Sequence, residues 1–277
     1  MNKKFTAFLL CLLITFAAVA LTACSTEDKT DIPDPTMPPA VTAVPKETPD
    51  PTPTPEDTKA PEKTSGLLEE SAEVDASYFD DAAFVGDSVS LKLSYYAASS
   101  GELGKAQFFT AGSLGCANAL WEISDKSVHP SYQGQKTLIE DCIQKSGVKK
   151  VYIMLGMNDI GLYGIDDTIE NYKTLVGKIL EKSPDVKIIV ESMTPMTSTS
   201  TIIGKGLNND NIKEYNKRLL AMCEGNGWYY TDVASVMYSS DGQTLKAEYC
   251  SDPTNMGVHF TEAGCKAWIE YLKKHSL

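Results

Sequence analysis

Few side chains in this sequence could act together as nucleophile and base. Ser88 sits in Ala82-Ala83-Phe84-Val85-Gly86-Asp87-Ser88-Val89-Ser90. An apolar run stops at the glycine, and a polar, helix-compatible segment follows. That order delivers a serine to a tight turn between a buried strand and a helix. The hydroxyl would then stand at the carboxyl edge of a sheet, where open α/β folds bind ligands. The Ser88 N–H would belong to a helix N-terminus, which favours developing negative charge. These are the local needs of a nucleophilic serine in acyl transfer.

Such a serine needs a base, and the chain has three histidines. His275 lies in the last residues, where chains fray. His129 precedes Pro130 in an irregular stretch. His259 stands just before the last predicted helix, which Thr261 can cap. Elimination and position choose His259. Two more positions could steady an oxyanion. Gly112 follows the second predicted strand, and a glycine lets its N–H approach an oxygen closely. Asn158 follows the third, in Gly156-Met157-Asn158-Asp159, and its side chain can give an N–H.

The elements that must position these residues alternate. Strands are predicted at 82–85, 106–110, 150–155, 187–192 and 228–233, each short and continuously apolar, as in strands buried on both faces. Helices are predicted at 89–99, 133–146, 167–182, 211–226 and 261–274. In the third, Ile169, Tyr172, Val176 and Ile179 form an apolar stripe. The βαβα order implies a single α/β domain with a doubly wound parallel sheet of five strands. The polar stretch Thr194–Thr201 reads as a solvated loop, with substrate binding as the other choice.

The ends of the chain are of another kind. Residues 1–24 have Lys3 and Lys4, then an apolar stretch, then Leu21-Thr22-Ala23-Cys24. This is a signal peptide of lipoprotein type, with Cys24 as the lipidated residue. Residues 25–76 hold ten of the fourteen prolines and carry thirteen acidic against four basic side chains. They are expected to form a disordered tether, reaching at most about 160 Å. The expected location is therefore the outer face of the cell membrane, lipid-anchored, in a Gram-positive bacterium. The domain is placed at 77–277.

Most of the net charge of −12 falls in the tether, and the domain has no basic cluster. Nucleic acid is therefore not an expected partner. Five cysteines remain in the domain without a C-x-x-C pair, so no zinc site is expected, and the thiols are expected to be buried. No metal or organic cofactor is expected, and the chain is expected to be a monomer.

Gly86-Asp87-Ser88, Gly112, Gly156-Met157-Asn158-Asp159 and His259, in this order, resemble the four blocks of the SGNH hydrolases, also called GDSL lipases/esterases. The resemblance spans about residues 80–275. It implies a flavodoxin-like, three-layer fold with strand order 2-1-3-4-5. It implies Ser88 as nucleophile, His259 as base, and the Ser88 N–H, the Gly112 N–H and the Asn158 side chain as oxyanion donors. One position departs from the family pattern. An aspartate usually stands three residues before the histidine, and here that residue is Met256. Asp252, Asn255 or a backbone carbonyl could hold the imidazole instead, with Asp252 the first choice.

The resulting expectation is a surface-anchored serine ester hydrolase acting through an acyl-enzyme on an acylated small molecule or glycan, with O-acetyl groups as an attractive substrate. Two rivals share the residues. An O-acyltransferase would turn over only with an acceptor, and an inactive glycan-binding lipoprotein, suggested by Met256, would leave Ser88 unlabelled by a fluorophosphonate.

Overall fold

The apolar runs form one parallel sheet in the computed structural model, which describes residues 66–277. The expected signal segment, Cys24 and the tether up to residue 65 lie outside the described residues. The elements in chain order are β1 (Gly66–Leu67), β2 (Ala82–Gly86), α1 (Ser88–Ser100), β3 (Gln107–Thr110), β4 (Ser131–Tyr132), β5 (Gln135–Lys136), α2 (Ile139–Ser146), β6 (Lys150–Met154), α3 (Ile160–Lys182), β7 (Lys187–Glu191), α4 (Asn209–Asn226), β8 (Tyr229–Thr231) and α5 (Glu262–Lys273). The sheet runs β1-β8-β7-β6-β2-β3, and every pairing in it is parallel. From the β3 edge, the five expected strands follow the order 2-1-3-4-5.

All five residues of β2 are buried, because the strand lies between β3 and β6 and is covered on both faces. Phe84 pairs in register with Phe108 and with Tyr152, and its ring stacks on theirs at 5.1 and 4.7 Å between centroids. A one-residue slip would turn this aromatic row to the opposite face, so the row fixes the register. Burying a side chain such as Phe84 contributes about 1.5–3 kcal/mol. Helices α1 and α5 pack on each other, while α3 packs on both α2 and α4, giving the two outer layers. The chain leaves β2 for β3 on one side and later returns to β6 on the other. The carboxyl end of β2 is therefore the switch point of the sheet.

Four expectations are corrected. The sheet has a sixth strand, β1, which pairs with β8. With it the fold begins before Ser77: the Ser71 and Val74 N–H groups donate to the Lys274 and Lys273 carbonyls at 2.6 and 2.9 Å, and Leu68 is buried. The predicted helix 133–146 is a hairpin followed by a shorter helix. Gln133 and Gly134 both have positive φ, 50° and 80°, the backbone of a type I′ turn, and they join β4 to β5 before α2 begins at Ile139. Helix α3 starts seven residues before the predicted Asp167, with a kink at Gly164.

Candidate active site

Gly86 ends β2 directly beneath α1. A Cβ there would stand 2.0 Å from Ser90 Oγ and 3.0 Å from the Met154 carbonyl, so only glycine lets the helix start this close to the sheet. Asp87 then caps α1, its Oδ1 accepting from the Val89 N–H at 2.8 Å. Ser88 is the first helical residue, and its hydroxyl meets His259 Nε2 at 2.9 Å. On the other side of the ring, His259 Nδ1 lies 2.7 Å from Asp252 Oδ2.

Asp252 arrives from seven residues upstream because residues 250–260 fold back on themselves. Cys250 bridges antiparallel to Phe260, and the Ser251 N–H donates to the His259 carbonyl at 2.8 Å. The turn closes where the Asn255 and Gly257 N–H groups donate to the Asp252 carbonyl at 2.9 and 3.0 Å. Asp252 Oδ1 accepts from the Val258 and His259 N–H groups, both at 3.2 Å, and from the Cys250 thiol at 3.4 Å. Burial alone would raise this carboxyl. The hydrogen bonds from the His259 ring, the His259 backbone and Cys250 outweigh it and hold the group below its ordinary value. An ionised carboxylate only accepts, so the ring proton is on Nδ1, and Nε2 is left to accept from the Ser88 hydroxyl.

Of the three groups that could have held the imidazole, the structure brings Asp252 to Nδ1. The Asn255 carbonyl instead accepts from Thr201, and the Met256 carbonyl from Ser200. Asn158 ties two loops together. Its Nδ2 donates to Asp87 Oδ2 at 3.1 Å and to the Leu114 carbonyl at 3.0 Å, joining the Ser88 turn to the loop that carries Gly112. Both amide hydrogens are thus engaged within the protein. A Cβ on Gly112 would meet nothing within 4 Å, so this glycine borders open space. Burial pushes the Asp87 carboxyl up to about 6, against the pull of the Val89 N–H. Burial likewise raises Asp159, which accepts from the Cys116 and Ala117 N–H groups at 2.9 and 3.0 Å and so holds the loop after β3.

Two sequence expectations fail here. The stretch Thr194–Thr201 is solvated only in part: Thr194, Met196, Thr197 and Ser200 are buried, while Ser198, Thr199 and Thr201 are exposed. It lies against the 252–257 turn, and a run of hydroxyls gave no warning because turn carbonyls are invisible in sequence. His275 is not frayed, since its Nδ1 bonds the Tyr271 carbonyl at 2.8 Å and its ring stacks on Tyr271. His129 is buried, and burial lowers its imidazole against the pull of the Trp121 backbone. Cys116, Cys142, Cys223, Cys250 and Cys265 are free and buried, as expected. Sequence reasoning missed the Asp87–Asn158 and Cys250–Asp252 contacts, although the Cys250-Ser251-Asp252 neighbourhood was already in view. Among the described residues, no three His, Cys, Asp or Glu side chains stand together as metal ligands would.

Residues 138–267 match the profile of the GDSL-like Lipase/Acylhydrolase family. This part of the domain is similar to that family. The GDSL match includes Asn158, Asp252 and His259, and it begins after Ser88 and Gly112. Solved structures agree on the fold. A GDSL-like lipase from Bacteroides thetaiotaomicron superposes with a TM-score of 0.52 at 16% identity, over 69% of this chain and 85% of that one. A Bacteroides fragilis protein provisionally named an acylhydrolase gives 0.52 at 18% identity, over 69% and 83%. No curated protein sequence is similar enough to this chain to count as a relative. The family is one of carboxylic ester hydrolases, and fold and family leave the substrate to be argued from the site.

Proposed function

We propose that this GDSL-like domain is a serine ester hydrolase that works through an acyl-enzyme, with Ser88, His259 and Asp252 as its triad. One observation carries the reading: the His259 ring bridges Ser88 Oγ at 2.9 Å and Asp252 Oδ2 at 2.7 Å. In this mechanism Ser88 Oγ attacks the acyl carbonyl while its proton passes to His259 Nε2. The carbonyl oxygen takes the negative charge, with the Ser88 and Gly112 N–H groups as donors. Asn158 would join them by exchanging one of its present acceptors for the oxyanion. The imidazolium, stabilised by Asp252, gives its proton to the departing alcohol. Water then attacks the acyl-enzyme with His259 again as base, releasing the acid and restoring the Ser88 hydroxyl.

The proposed setting is outside the cytoplasm, on a lipid attached to Cys24. The support is the signal-like segment ending in that cysteine, followed by the proline-rich acidic stretch. A tethered domain facing outward meets glycans, so the proposed substrate is an O-acetyl group on a wall or dietary glycan. The inactive-binder reading drew its support from Met256, and Asp252 now fills the place that Met256 leaves empty.

The test is acetate release from acetylated glycans and from p-nitrophenyl acetate. The wild type should release acetate without an added acceptor, and Ser88→Ala should not. Release undiminished in Ser88→Ala sinks the mechanism. Labelling in cells with a lipid precursor, lost in Cys24→Ala, tests the anchor.

A further inference from the structure

The geometry points to Thr197 and Ser200 as positioning residues of the triad: the Thr/Ser segment, buried at these two residues, is a brace that holds the turn carrying Asp252 against His259. This inference rests on the triad reading above and adds the groups that keep it in place.

Asp252 stands at the root of an excursion, residues 253–257, that the chain makes before it reaches His259. Carbonyl groups of this excursion point at the segment 197–201. The Thr197 hydroxyl donates to the Pro253 carbonyl at 2.9 Å, and the Thr199 hydroxyl donates to the same oxygen. The Ser200 hydroxyl donates to the Met256 carbonyl. The Thr201 hydroxyl and N–H both donate to the Asn255 carbonyl, at 2.9 and 2.7 Å, and the Thr197 N–H donates to the Gly257 carbonyl at 2.9 Å. The two backbones are as close as they can come. Gly257 has a φ of 68°, and a Cβ on it would stand 2.2 Å from Thr197 Oγ1.

A brace must itself be fixed, and this one is tied to α4 by two asparagines. Asn216 accepts from the Met193 N–H and donates to the Met193 carbonyl, both at 2.8 Å. Asn209 does the same for Met196, at 2.8 and 2.9 Å. Each amide side chain thus serves as a missing strand neighbour for one residue of the segment. The path from α4 to the Asp252 turn runs through the half-buried Asn209 and the buried Met196 and Thr197, with hydrogen bonds at each step. Misplacing a catalytic group by about 1 Å can cost about 100-fold in rate. A turn that has lost the brace would let Asp252 wander by such an amount without unfolding the sheet.

The test compares the full chain with Thr197→Val/Ser200→Ala, which keeps the volume of Thr197 and removes two hydroxyl donors. The expected kcat falls about 10- to 100-fold with KM within about threefold, as for loss of alignment and not of substrate binding. The downfield proton resonance of His259 Nδ1 should broaden or vanish, a sign that the bond to Asp252 is no longer held. Thr197→Ser/Ser200→Thr, which keeps both hydroxyls, should restore kcat and the resonance. If the first double variant does not fold, Ser200→Ala alone should lower kcat about fivefold, the worth of one ordinary hydrogen bond, and broaden the same resonance. Wild-type kcat and a sharp Nδ1 resonance in either hydroxyl-free variant overturn the brace, as does an equal loss in the hydroxyl-keeping variant. Activity remaining in Ser88→Ala is a different failure, because it removes the triad itself.

Discussion

Replacing Asp252 by Asn changes one atom of the side chain and should remove most of the activity. The carboxylate now accepts from His259 Nδ1 at 2.7 Å and from two backbone N–H groups at 3.2 Å. An asparagine can keep its oxygen on those backbone donors only by turning its NH2 toward the ring. Nδ1 must then accept, the ring proton moves to Nε2, and the ring can no longer take the Ser88 proton. The corresponding change in a serine protease lowers kcat by about 10⁴-fold. Here the carboxylate is only partly shielded, with 19% of its side chain exposed, so water can replace some of its support. The expected loss is about 10²- to 10⁴-fold, equivalent to about 3–5 kcal/mol of transition-state stabilisation. Met256→Ala, at the position where the family usually carries its aspartate, should stay within about threefold, since that residue gives the site only a carbonyl bond to Ser200. Initial rates with p-nitrophenyl acetate, with a thermal melt to confirm folding, measure both. If Asp252→Asn retains a third or more of wild-type kcat while Met256→Ala collapses, the assignment of the acid is wrong.

Other consequences concern the surroundings of the triad. Asp87→Asn keeps a good helix cap for Val89 but sets an amide against Asn158 Nδ2; kcat should drop about 10- to 100-fold with little change in melting temperature. Gly86→Ala should destabilise the fold by about 1–3 kcal/mol in urea titration, because the new methyl overlaps Ser90 and crowds Met154. Glu191, buried and bonded to the Trp268 N–H at 2.8 Å, is pushed up to about 8 by burial, against 4.5 for the free group. The folded state therefore keeps a proton that the unfolded chain releases. Stability should fall as pH rises from about 4.5 through about 8, by about 5 kcal/mol in all, and Glu191→Gln should flatten that slope in urea melts across this range.

The sheet was legible because its strands are buried on both faces and read as continuous apolar runs, Ala82–Val85 above all. Strand β1 was not legible: Gly66-Leu67 is two residues long, sits beside the proline-rich stretch, and is a strand only through its partner β8. The β4–β5 hairpin was hidden by a turn at Gln133-Gly134, where a glutamine takes a positive φ that Asn or Asp would have advertised. Ser88 and His259 could be chosen from residue type and position. Asp252 remained one of three candidates, because only the Cys250–Phe260 bridge folds the chain back so that residue 252 comes beside residue 259. The Thr/Ser segment was misjudged for a related reason. Its hydroxyls meet main-chain carbonyls more than fifty residues away, and composition records no such partners.

The central claim is that Ser88 carries the acyl group. Mass spectrometry of the protein after reaction with a fluorophosphonate ester tests it most directly. One adduct per chain is predicted, mapping to the peptide that contains Ser88, absent in Ser88→Ala and formed far more slowly in His259→Ala. An active preparation that takes up no adduct, or that takes it up equally in Ser88→Ala, contradicts the account.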